Sequence, residues 1–288
     1  MQPLDGVTVA DLTRYLPGPY ASRELLRLGA RVVKIEPPEG DPVAVTAPSW
    51  YEALNAGKER VTWDARGQPP PPVIAEADVV LEGFRPGVFE RLGLEVAPTA
   101  IVCSITGFGA GGRRAQDAGH DLNYLGYAGV LADTAPALPP VQVADLCAGG
   151  QAAVIEVLAA LLTRSRDGSG ARIVVSMTDG VHRFAAHRLG GDPVPRLLTG
   201  GIACYRIYET ADARHLTVAA LEPRFWERLC DLLDRPDLVA RAFEPELPEL
   251  AALFRTRTLQ EWRDALEGRD TCVGPVLTLE EAARELDG

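Results

Sequence analysis

Residues 6–36, GVTVADLTRYLPGPYASRELLRLGARVVKIE, decide the fold. The stretch 7–12 is a short run of mostly apolar residues, which reads as a buried strand. Over 20–28 the apolar residues return at helical spacing, and 31–36 reads as a second strand. Strand, amphipathic helix and strand in about thirty residues make a βαβ unit, and that crossover implies a parallel sheet.

Working outward, strand-like runs at 77–81, 100–104 and 171–177 extend the sheet, and helical stretches are expected over 122–132 and 149–164. The fold class is therefore α/β. Between the second and third of these strands lies GQPPPP, residues 67–72, which is expected to be non-helical and to cut the crossover short, because proline lacks the N–H and blocks the preceding turn. The pattern breaks at RLGGDPVPRLLTGG, residues 188–201, a stretch with linker composition. Beyond it, 204–208 with 216–220 reads as a hairpin, followed by helices over 222–233, 248–254 and 259–266. The expected organisation is a large α/β domain over 1–189, a linker over 190–199 and a smaller α+β domain over 200–288. No internal repeat is present.

The 288 residues suffice for one large and one modest core. A formal charge of −11, with no run of five basic residues, argues against a nucleic-acid partner. No stretch has about 18 uninterrupted apolar residues, and the opening MQPLDGVTVADL lacks the basic and apolar regions of a signal peptide. A cytoplasmic protein with no membrane partner is expected. The five cysteines, Cys103, Cys147, Cys204, Cys230 and Cys272, are scattered without CxxC spacing, which suits reduced thiols.

Five ordered stretches carry a resemblance: PLDGVTVADLTRYLPGPYASRELLRLGARVVKIEPPEGDP (3–42), ADVVLEGFRPGVFERLGLE (77–95), ITGFGAGGRRAQDAGHDLNYLGYAG (105–129), VADLCAGGQAAVIEVLAALLTRSRDGSGARIVVSMTDG (143–180) and YETADARHLTVAALEPRFWERL (208–229). Together they resemble the family III CoA-transferases (the CaiB/BaiF family), and GHDLNY is similar to the branch of that family containing α-methylacyl-CoA racemases. The resemblance implies a Rossmann-like large domain, a small second domain, an interlinked homodimer and an acyl-CoA thioester bound between domains. It implies no prosthetic group and no NAD. In agreement, the turn after the first strand, LTRYLPGPYA, is not GxGxxG, and its proline and bulky side chains would obstruct a pyrophosphate.

Residue by residue, the resemblance implies His120, Asp145 and Glu222 as catalytic groups. It implies Tyr15, Leu16, Trp63, Arg66, Gly83, Phe84, Arg85 and Arg91 as CoA contacts. Where the family usually has an arginine shortly after KIE, this chain has Pro37, so Arg66, Arg85 and Arg91 are the cations left to compensate. The segment by which the family returns to its large domain is expected to be missing after LEEAARELDG.

Inverting a carbon next to a thioester needs two acid/base groups flanking it, one removing a proton and one returning it to the opposite face. A histidine suits one face, since its ordinary pKa of about 6.5 keeps both forms available. A carboxyl suits the other if partial burial raises its pKa. His120 and Asp145 are these candidates, and Gly149 and Gly150 are expected to open a helix whose N–H groups face developing charge. The plainer alternatives are that Asp121 caps a helix starting near Leu122, with His120 merely preceding it, and that Asp145 caps a helix beginning near Ala148. For Glu222 the alternative is a first-turn glutamate favoured by the helix dipole.

His182 and His187 lie five apart, off a common helix face, and His215 opens a hairpin strand, so no metal site is expected. Ser104 and Ser176 lack a GxSxG elbow. Three functions stay open: a racemase or epimerase using His120 and Asp145, a CoA-transferase in which Asp145 is the nucleophile, and a non-catalytic acyl-CoA-binding homologue.

Overall fold

In the computed structural model, which describes residues 2–286, the opening unit forms as β1 (Thr8–Asp11), α1 (Pro17–Arg27) and β2 (Arg31–Glu36). β1 and β2 pair in parallel, with Thr8 opposite Arg31 and Asp11 opposite Lys34. Pro17 opens α1 at a position where its missing N–H costs nothing. The chain continues through α2 (Pro42–Thr46), α3 (Pro48–Asn55), β3 (Glu59–Thr62), α4 (Pro72–Glu76), β4 (Val79–Glu82), α5 (Val88–Arg91), β5 (Ile101–Thr106) and α6 (Asp121–Ala128). A π-helix over Ala144–Gln151 runs directly into α7 (Ala152–Asp167), then β6 (Ala171–Ser176) and α8 (Met177–Ala185).

The six strands form one parallel sheet in the order β3-β2-β1-β4-β5-β6. This is the doubly wound arrangement, and the order reverses at β1. Ligands of such sheets sit outside the carboxyl ends of the strands flanking that reversal. Both faces are covered. Val9, Val79, Leu81, Ile101, Cys103 and Ile105 point into one core with α1, α6 and α7. Ala10, Val33, Ile35, Val80 and Val102 point into the other, against Trp63, Ile74 and Phe89. The alternation follows from the two-residue period of a strand, and double burial explains why these strands read as continuous apolar runs.

Two expectations about the first unit are corrected. The ERVT stretch forms β3, which carries no strand signal in the sequence because all four residues are exposed and three are charged or polar; it is an edge strand, where charge blunts further pairing. GQPPPP is not wholly non-helical, since Pro72 is the first residue of α4, a position proline tolerates.

The helix over Ala144–Asp167 contains an 18-residue window of mean hydropathy 1.7, long and apolar enough by length and composition to cross a membrane. The helix carries the charged residues Asp145, Glu156, Arg164, Arg166 and Asp167. Ala153, Val154 and Val157 pack into the first core, whereas Ile155 and Leu162 are exposed.

Residues up to Leu189 make one compact unit, and those from Gly190 make a second. In the second unit β7 (Tyr205–Glu209) and β8 (His215–Ala219) pair as an antiparallel hairpin, and β9 (Val273–Pro275) adds to β8. β9 lies outside the sequence expectation, because a Val-Gly-Pro run carries no strand signal and is tolerated only at an edge. Helices α9 (Pro223–Leu232), α10 (Pro248–Phe254), α11 (Leu259–Leu266) and α12 (Leu279–Leu286) complete this unit. Trp226, Phe254 and Trp262 anchor its core, and Val194 and Leu197, from the stretch with linker composition, pack against it.

Candidate active site

A cleft of about 650 Å³ opens at the carboxyl ends of β1, β4, β5 and β6. Its walls come from the loops after those strands: Thr13 to Tyr15, Gly83 to Pro86, Gly107 and Phe108, and Ala118 to His120. His120 and Asp145 both line it.

His120 is the N-cap of α6, with extended backbone at φ −129° and ψ 177°. Its N–H donates to Asn123 Oδ1 at 3.1 Å and its carbonyl accepts from the Asn123 N–H at 2.8 Å, so both backbone groups are fixed. Tyr124 anchors the approach. Its hydroxyl donates to the Gly119 carbonyl at 2.5 Å, and its ring meets Phe108 edge-on with centroids 5.2 Å apart. A side chain at Gly107 or Gly119 would run into that ring, which is why the chain around Tyr124 needs glycine there.

Asp121 does not cap α6; it is the first helical residue. Its Oδ1 instead accepts the Asp145 N–H at 2.9 Å, so it caps the π-helix across 24 positions of sequence. Asp145 does not precede a helix near Ala148 but lies in the first turn of the π-helix, an irregularity often found at functional sites. It is 8% exposed. Burial, and then the neighbouring Asp121 carboxylate, push its carboxyl up to about 7.

Gly149 and Gly150 do not open a helix. They sit inside the π-helix where it crosses α1: a Cβ on Gly150 would lie 2.6 Å from Tyr20 and 2.8 Å from the Pro17 carbonyl, and one on Gly149 would lie 3.0 Å from Met177. Close packing, not charge, explains them.

The other expected residues are distributed. Tyr15, Gly83, Phe84 and Arg85 line the cleft with His120 and Asp145. Arg85 donates to the Gln116 carbonyl, and Gln116 donates back to the Pro86 carbonyl at 3.1 Å, tying the β4 loop to the segment before His120. Trp63, Arg66 and Phe84 line a neighbouring cleft of about 230 Å³, together with Arg14, Glu36, Pro37 and Glu39. There Arg66 pairs with Asp64 at 2.8 Å and lies 3.9 Å from Glu39. Leu16, the N-cap of α1, and Arg91, the last residue of α5, line neither cleft. Glu222 belongs to the second unit and is the N-cap of α9 rather than a first-turn residue. Among the described residues no cluster of three His, Cys, Asp or Glu side chains suits a metal ion. The role of Asp121 and the support from Tyr124 were missed in the sequence; the only local signal was the pair of glycines, Gly107 and Gly119, ahead of Tyr124.

The model of CoA-transferase family III matches residues 4–287. The chain belongs to this family. Its relatives include human alpha-methylacyl-CoA racemase, 33% identical over 96% of this chain and 78% of that protein. The acetyl-CoA:oxalate CoA-transferase of Acetobacter aceti is 31% identical over 98% of this chain and 82% of that protein. The crystal structure of Rv3272 from Mycobacterium tuberculosis superposes with a TM-score of 0.82 at 30% identity, covering all of this chain and 87% of the other. A CAIB/BAIF family protein from Brucella suis gives 0.82 at 28% identity, with 98% and 86% covered. Family III thus contains both racemases and transferases similar to this chain, and the doubly wound fold of the first unit is that of the family.

Proposed function

We propose that this protein is an α-methylacyl-CoA racemase or epimerase in which His120 and Asp145 exchange protons with the carbon next to the thioester. One observation carries the reading: His120 and Asp145 line one cleft, and Asp145 is held at a pKa of about 7. In one direction the base breaks the α C–H bond and takes the proton, and the electron pair moves into the thioester as an enolate. The second group, protonated, then delivers its proton to the opposite face, restoring the carbonyl with the centre inverted. No electrons are lost and no co-reactant is consumed. A carboxyl with a pKa near 7 is present in both forms at neutrality, as a group that alternates between acid and base requires.

A transferase is the second reading, favoured by the place of Asp145 in the cleft wall and by relatives named as CoA-transferases. There the Asp145 carboxylate attacks the thioester carbonyl, CoA leaves as a thiolate and a mixed anhydride forms; the thiolate then attacks the aspartyl carbonyl to give an aspartyl-CoA thioester and release the acid. The raised pKa favours the first reading, because a transferase needs the carboxylate form alone whereas proton exchange uses both forms.

The test is incubation of either epimer of a 2-methylacyl-CoA in deuterated water, with and without an acceptor acid. Wild type should place deuterium at the α-carbon from both epimers. His120→Ala should lower epimerisation by about 10² to 10⁴ and spare any transfer of CoA. Asp145→Asn should abolish both. Unchanged deuterium incorporation in His120→Ala would make the histidine structural and end the racemase reading.

A further inference from the structure

Beneath the cleft lies a group of polar side chains that proton transfer does not use. Asp11, Lys34, Asp41 and Asn55 are at most 1% exposed, and Lys58 is 8% exposed. Burying this many charges is costly unless each is paired and hydrogen-bonded. Here each is. Asp11 Oδ1 accepts the Thr13 N–H at 3.0 Å and the Thr13 hydroxyl at 2.5 Å, while its Oδ2 accepts from Ser22 and faces Lys58 at 3.5 Å. Lys58 also donates to Asn55 and the Pro19 carbonyl. Lys34 Nζ donates to the Thr13 carbonyl at 2.6 Å and lies 3.8 Å from Asp41. Asp41 bridges two backbone donors, Tyr15 N–H at 3.0 Å through Oδ2 and Val43 N–H at 3.0 Å through Oδ1.

These bonds converge on the loop of residues 13–16, which carries a backbone conformation other than the default. Tyr15 has φ +68°, in the left-handed region that residues other than glycine seldom occupy. Such a conformation persists only where its surroundings impose it. The Asp41 carboxylate on the Tyr15 N–H and the Lys34 ammonium on the Thr13 carbonyl are the groups that do so. The result is a tyrosine ring set edge-on to the His120 ring, with centroids 5.9 Å apart and planes at 77°.

We infer that Asp41 and Lys34 are positioning residues for His120, acting through Tyr15: the buried pair holds the 13–16 loop so that the Tyr15 ring fixes the plane in which the His120 imidazole meets the cleft. The inference rests on the reading of His120 as a proton-transfer group, but the ring geometry can be measured apart from turnover. A misaligned base loses rate without losing substrate.

The experiment follows the imidazole signals of His120 by NMR, assigned by their loss in His120→Gln, which is tractable with four histidines in the chain. Deuterium incorporation is measured on the same samples. Tyr15→Ala and Asp41→Asn should shift or broaden the His120 signals and lower kcat about tenfold, and Asp41→Asn, at a buried residue outside the cleft wall, should change KM far less. Tyr15→Phe should leave the His120 signals where they are in wild type, because the ring and not the hydroxyl meets the imidazole. If Asp41→Asn does not fold, Tyr15→Ala, altering an exposed side chain, carries the test alone. His120 signals identical to wild type in folded Tyr15→Ala would overturn the inference, as would His120 signals displaced as far in Tyr15→Phe as in Tyr15→Ala. Shifted signals in a protein that incorporates no deuterium would sustain the positioning and sink the proposed function instead.

Discussion

Asp145 shows how far a single residue depends on its neighbours. An aspartate in water ionises near pH 3.9 and would be a poor acid at neutrality. Burial raises this one, and the Asp121 carboxylate raises it further, to about 7. The sign of a substitution follows. Asp121→Asn keeps an oxygen to accept the Asp145 N–H but removes a negative charge, so ionised Asp145 is less repelled and its pKa falls. The limb of the pH–rate profile governed by Asp145 should move from near pH 7 to lower pH, with the hydrogen bond at the π-helix start intact. A profile of epimerisation rate against pH for both proteins checks this, and an unmoved limb would remove Asp121 from the tuning of the site.

At the scale of elements, what presents Asp145 is the crossing of the π-helix over α1, and that crossing needs a residue without a Cβ. Gly150→Ala would bring a methyl within 2.6 Å of the Tyr20 ring and 2.8 Å of the Pro17 carbonyl. Backbone cannot yield there as a flexible side chain can, so the substitution should cost about 1 to 3 kcal/mol and displace Asp145, reducing turnover. A methyl on Gly126, on the exposed side of α6, would meet nothing within 4 Å, and Gly126→Ala should stabilise by about 0.5 to 1 kcal/mol. Urea unfolding of both variants reads the contrast. Equal effects would mean that the π-helix is not clamped against α1 as described.

For the whole molecule, two expectations concern what it meets. Ile155 and Leu162 lie seven residues apart on one side of α7 and are 59% and 55% exposed, and Phe184 of α8 is 55% exposed. Side chains exposed in this way are candidates for burial in the homodimer that the family resemblance implies. Sedimentation at micromolar concentration should give a dimer for wild type and a monomer for the double variant Ile155→Glu, Leu162→Glu; a wild-type monomer removes the expectation. The second concerns the thioester's phosphates. Arg14 and Arg85 are, among the described residues, the arginines lining the two clefts that are not held in an ion pair, whereas Arg66 is held by Asp64 and Glu39. CoA binding by calorimetry should weaken about three- to tenfold as salt rises from about 0.05 to 0.5 M, and Arg85→Ala should flatten that dependence. No binding at millimolar CoA would exclude every acyl-CoA reading.

The alternation of strand and helix in residues 6–36 was legible because each element is set by neighbours a few positions away, and the same holds for the hairpin and for α10 and α11. His120 and Asp145 were legible as members of a motif. What sets Asp145 in place was not, because the hydrogen bond from Asp145 to Asp121 spans 24 residues, and the pKa of Asp145 follows from burial and that carboxylate rather than from residue type. Gly149 and Gly150 looked like a helix opening, since sequence shows a missing side chain but not the α1 surface that requires it. Lys34 and Asp41 carry no local signal of their role, since the groups they bind, the Thr13 carbonyl and the Tyr15 N–H, lie 21 and 26 positions away. Periodicity, which the sequence determines, records only which way a residue faces; the distance between charges and the water excluded around them exist only once the sheet has closed.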